Sequence, residues 1–117
     1  MIAVIFEVEP AENQADTYLQ LAAELRPILD NIEGFISIER FTSLADPTKF
    51  LSLSFWENEE AIQQWRNIEH HRSAQTKGRN GIFDDYRLRI AEVTRDYGLL
   101  ERGQAPADSQ DHHPARP

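Results

Sequence analysis

Two stretches of helix-period hydrophobicity, each set between strand-period runs, constrain this chain more than any other feature. In the first, Tyr18, Leu21, Ala22, Leu25, Ile28, Leu29 and Ile32 recur at three- and four-residue steps, which predicts an amphipathic helix from about Glu12 to Ile32. The second runs from Asn58 to about Lys77. Before, between and after them lie Ile2–Glu9, Phe35–Thr42, Phe50–Trp56 and Tyr86–Asp96, which alternate or run apolar at strand length. The order β-α-β-β-α-β predicts an α+β, ferredoxin-like fold with an antiparallel sheet.

Local signals set the expected boundaries. Asn13 is the expected cap of the first helix, Pro27 should kink it near Ala23 and Glu24, and Gly34 should stop it. The segment SLADPTK, with Asp46-Pro47 as turn initiator, should join two paired strands. Asn58 can cap the second helix, and Glu59 and Glu60 suit its first turn. Gly78 and Asn80-Gly81 should end that helix, leaving Ile82 to Asp85 as a connector. Residues 1–97 make one domain, and 98–117, with three of the six prolines, read as a polar and flexible C-terminal tail.

With helices on one sheet face, the other would carry Ala3, Ile5, Ile36, Ile38, Leu51, Leu53, Phe55, Ala91 and Val93. An apolar face of that extent predicts burial against a second copy, and hence a homodimer. Charge excludes other partners: 20 acidic against 12 basic residues give -8, a sign that repels nucleic acid and anionic membranes. No cysteine is present, so thiolate chemistry, zinc–thiolate sites and disulfides are ruled out. The opening MIAVIFEVEP has neither the basic start of a signal peptide nor the length of a membrane span, and a cytoplasmic location is expected.

On the second helix, Ala61, Trp65, Ile68, Arg72, Gln75 and Arg79 share one sector, apolar in its first half and cationic in its second. Three readings fit this switch. In the first, the helix simply overruns the sheet, with Arg72 and Arg79 in solvent or paired with Asp84, Asp85 or Glu7. In the second, it lines a pocket, with Trp65 as the apolar wall and the arginines as holders of a carbonyl, enolate or carboxylate. A buried ion-pair network is the third. If there is chemistry, His71 is the natural proton acceptor, with Tyr86 and Phe83 as further substrate contacts near the start of the last strand. The adjacent His112 and His113 lack partners at ligand spacing, so no metal is expected. No nucleophile elbow, dinucleotide fingerprint, P-loop, HExxH or EF-hand loop occurs, so any reaction proceeds without a motif-bound cofactor.

The runs FWENEEAIQQW, HRSAQTKGR and YRLRIAEVTRDY, with GFISIERF and the DPTK turn upstream, resemble the antibiotic biosynthesis monooxygenase family of dimeric α+β barrels. The resemblance covers Met1 to about Tyr97. It implies a homodimer with a cleft between sheet and helices, and oxidation of a small aromatic by O2 without metal or flavin. In that setting Trp65, His71 and Arg72 would be catalytic, and Gln75, Arg79, Tyr86 and Phe83 would bind an anthrone-like, quinol-type or enolisable substrate. Haem-degrading members carry an asparagine on the first strand and a histidine three turns after the tryptophan. Here Trp65 matches, but Phe6 and Glu7 stand in place of the asparagine and Gln75 in place of the histidine. A non-catalytic small-ligand-binding or stress-response dimer with the same cleft is the alternative reading.

Overall fold

The chain runs β1 (Ile2–Pro10), α1 (Ala15–Leu29), β2 (Phe35–Thr42), β3 (Phe50–Trp56), α2 (Glu59–Gln75), β4 (Phe83–Glu92) and a short α3 (Ala107–His112). The computed structural model describes the backbone of residues 1–75 and 81–112, and the side chains of residues 1–69 and 81–109. The four strands form one antiparallel sheet in the order β2-β3-β1-β4, as a ferredoxin-like arrangement requires. The sheet is open, so no barrel closes within one chain.

Registers fix which residues face the helices. Val4 pairs with Ser54 and Ile90, and Phe6 with Ser52 and Leu88. On β2, Ile38 and Arg40 lie opposite Ser54 and Ser52. Side chains at paired positions share a sheet face, so these residues form the layer beneath α1 and α2. Ile38 was expected on the open face, but the register shift between Phe35 and Ser37 turns it inward.

Burial under the helices is split between two ends. At one, Leu29, Ile32, Trp56, Ala61 and Ile62 pack together, joined by Trp65 and Ile68; at the other, Val8 packs with Tyr18 and Ile82. Between these ends β3 contributes Ser52 and Ser54, whose small side chains leave the middle of the layer unfilled.

Several boundaries differ from expectation. Asn13 takes a left-handed conformation (φ 66°) ahead of α1, and the cap position falls to Gln14, whose side chain makes no capping bond. Helix α1 runs through Pro27 to Leu29, and Gly34 (φ +93°) serves the start of β2. There its carbonyl accepts the Glu57 N–H at 2.7 Å, and a Cβ at this position would come within 3.0 Å of Ala61 Cβ. Glycine thus lets the α1–β2 turn lie close against the start of α2. Asn58 caps α2 as expected, its Oδ1 accepting the Ala61 N–H at 2.9 Å. Strand β4 begins at Phe83, within the segment read as a connector, because continued pairing with Pro10 carries the ladder across a bulge. After β4 the chain makes local contacts: the Asp96 N–H donates to Gln104 Oε1 (2.7 Å), and Arg102 lies over the Tyr97 ring and donates to Ser109 Oγ (2.7 Å).

Candidate active site

The unfilled middle of the helix-facing layer is a cavity of about 200 Å³. Its floor is Val4, Phe6, Ile38, Ser52 and Ser54, and its roof comes from α1 (Tyr18, Leu21, Ala22, Leu25) and α2 (Ile62, Trp65). Phe83, Leu88 and Ile90 of β4 complete it. The two last are 48% and 42% exposed, so the cavity opens along this edge strand. The walls are predominantly apolar, with a few polar groups that can fix the orientation of a small molecule.

Those polar groups are Arg40 on β2, Arg66 and Glu69 on α2, Tyr18 on α1, and the two β3 serines. Arg40 is held in place by Tyr18: its Nε donates to the phenol oxygen (3.4 Å), and its guanidinium lies 6.0 Å from the ring centroid. Ser54 Oγ accepts the Trp56 indole N–H at 2.9 Å, which satisfies a buried donor beneath the cavity. Among the described residues, Glu69 has the most perturbed ionisation. Burial pushes its carboxyl up to about 7, against the opposing pull of the Arg40 charge. No hydrogen bond or ion pair reaches that carboxyl among the described residues. A group that changes charge near neutrality, in an apolar pocket facing a cation, suits proton transfer.

The residues put forward from sequence fare differently. Trp65 lines the cavity and packs on the core. Phe83 lines it too, in edge contact with Phe6 (5.9 Å) and Tyr18 (5.8 Å). Tyr86 stands just outside the lining, against Phe6 and Phe83, and is 60% exposed. The side chains of His71, Arg72 and Gln75, and Arg79 altogether, lie outside the described residues. Among the described residues, Glu7, considered above as a partner for those arginines, pairs with Lys49 and Arg89, each at 3.6 Å.

Sequence reading missed Arg40, Arg66, Glu69 and the serine pair. The signal for the serines was present: Ser52 and Ser54, two apart in an otherwise apolar strand, put two small residues on one face. Glu69, four residues after Trp65, was also within reach of a helical-face argument. Arg40 was not, because only the bulge in β2 decides its face.

The chain belongs to the antibiotic biosynthesis monooxygenase family, whose model matches residues 1–77. It is 51% identical over 94 residues to the jasmonate monooxygenase of Pyricularia oryzae, a match that covers 80% of this chain and 44% of that protein. The chain therefore spans less than half the length of that relative. It is 31% identical over 93 residues to YqjZ, an uncharacterized protein of Bacillus subtilis, covering 80% of this chain and 79% of that one. Among solved structures, the haem-degrading MhuD of Mycobacterium tuberculosis superposes with a TM-score of 0.65 at 19% identity, covering 84% of this chain and 100% of that one. At that identity the likeness concerns the fold alone.

Proposed function

We propose that this protein is a cofactor-independent monooxygenase of a small apolar molecule bearing an enolisable ketone or an oxidisable phenol. The observation that carries this reading is the cavity itself: apolar walls including Trp65 and Phe83, with Arg40 and Glu69 among its few polar groups. Such a site admits a flat or compact hydrocarbon skeleton, favours its deprotonated form beside a guanidinium, and keeps water scarce around it. Family membership supports oxygenation as the reaction. The jasmonate monooxygenase relative supports an enolisable ketone, since jasmonate is a cyclopentanone. The reductant is then the substrate carbanion or phenolate, and the missing cofactor motifs of the sequence are in keeping with that. Roles for His71, Arg72, Gln75 and Arg79 in holding or deprotonating the substrate rest on sequence.

Oxygen uptake with anthrone, 1,4-dihydroxynaphthalene and jasmonate is the test. Enzyme-dependent uptake by at least one, undiminished by chelators and without added flavin, is expected, and it should fall in Trp65→Ala, His71→Ala and Arg72→Ala. If none is consumed, while one of them raises the melting temperature and is recovered unchanged, the protein is a ligand-binding module.

A further inference from the structure

We propose that Glu69 is the proton acceptor of this cavity, taking a proton from an enolisable C–H or a phenolic O–H while Arg40 holds the oxyanion that develops. The assignment rests on the cavity being the substrate site and moves the role of base from His71 to a residue that lines it.

Position is the first argument. Glu69 and Arg40 reach the cavity from different elements, α2 and β2, and share its lining with Ser52, Ser54, Ile62 and Trp65. A substrate filling that space presents one end to a carboxylate and another to a guanidinium. Arg40 is already oriented by Tyr18, so its terminal amino groups are free of the reorganisation that weakens an electrostatic contact in water. Among the described residues, neither those amino groups nor the Glu69 carboxyl has a competing ion pair.

The second argument is chemical. In the step proposed, the C–H or O–H bond of the substrate breaks, its electron pair stays on the substrate as enolate or phenolate, and the proton passes to a Glu69 oxygen. The cavity's net charge is unchanged, since one anion replaces another, and the new anion faces Arg40. Among the described residues, the polar groups that share the cavity lining with Glu69 are Arg66 on its own helix, Tyr18 on α1, Arg40 on β2 and the uncharged Ser52 and Ser54 on β3; from β4 come only apolar side chains. Of these, Arg40 is the charge that moderates its ionisation, and burial raises it to about 7, where a carboxylate becomes an effective base.

Proton exchange without oxygen isolates this step. Anaerobic anthrone in deuterated buffer, followed by proton NMR at its enolisable carbon, should lose signal faster with the full-length protein than without it, the acceleration rising with pH to a plateau above about 7. Glu69→Gln should reduce the acceleration by a factor of 10² or more, the scale of a lost general base. Formate should restore it to Glu69→Ala, which a merely structural role would not allow. Wild-type exchange in Glu69→Gln, loss confined to His71→Ala, or no acceleration by the wild-type protein overturns the assignment. Exchange without oxygen uptake in air would leave Glu69 as the base and remove the oxygenase reading; uptake undiminished in Glu69→Gln would do the reverse.

Discussion

At Glu69 the surroundings work against charge. An unfolded chain ionises this carboxyl near 4.5, whereas the folded protein holds the proton up to about 7. Between those values the folded state binds more protons than the unfolded one, so stability contributed by the neutral carboxyl is complete below about 4.5 and is lost as pH rises towards 7. This is the reverse of a carboxylate that gains an ion pair on folding. Glu69→Gln, which cannot ionise, should therefore match the wild type in acid and exceed it above neutrality, by roughly 3 kcal/mol at most. Urea melts on either side of that window measure the difference, and equal stabilities above neutrality would show that the carboxyl is not held neutral. The same residue is thus strained by folding and suited to take up a proton, a combination that local propensity gives no sign of.

At the scale of elements, β3 decides whether there is a site at all. Its alternation places Leu51, Leu53 and Phe55 on the open face and Ser52 and Ser54 on the face under the helices, so the layer between sheet and helices has a gap where most cores have methyl groups. Filling it separates ligand binding from folding. Ser52→Phe should abolish substrate-dependent oxygen uptake and thermal stabilisation by ligand, with a melting temperature within a few degrees of the wild type. Retained uptake would place the substrate elsewhere. Helix α2 contributes differently along its length: Ala61 and Ile62 seal the core, Trp65 is shared between core and cavity, and Arg66 and Glu69 belong to the cavity. The helical period made Ala61, Trp65 and Ile68 legible as one apolar stripe. Which polar neighbour of that stripe meets the cavity depends on how the helix is rotated over the sheet, and periodicity does not contain that rotation.

For the whole molecule, α1 and α2 cover one face of the sheet and leave the other to Ile5, Leu51, Leu53, Phe55 and their neighbours. Ile36 and Phe41 of β2 are 46% and 42% exposed, and every residue of β4 is exposed. A surface with this much apolar area is expected to be covered in solution, and a second copy of the same chain is the simplest cover. Light scattering at micromolar concentration should give twice the chain mass of 13.5 kDa, and Leu53→Glu, at the middle of the face, should give the monomer. A monomeric wild type would sink the idea. Among the described residues no helix is long and apolar enough to cross a membrane.

The sequence alone determined the order of elements, the antiparallel sheet with its helices on one side and the cap at Asn58, because each follows from hydrophobic period or local capping chemistry within a few residues. It also carried the family signal in its aromatic and basic runs. The tertiary structure decided what meets across distance: that the β2 register shift turns Ile38 and Arg40 inward, that the bulge at Glu9 and Pro10 extends β4 back to Phe83, and that Arg40 and Glu69 line one cavity. Twenty-nine positions separate those two residues in the chain, and no local pattern links them. Their pairing exists only because a sheet register and a helix rotation, both set by packing, bring the two charges to one apolar space.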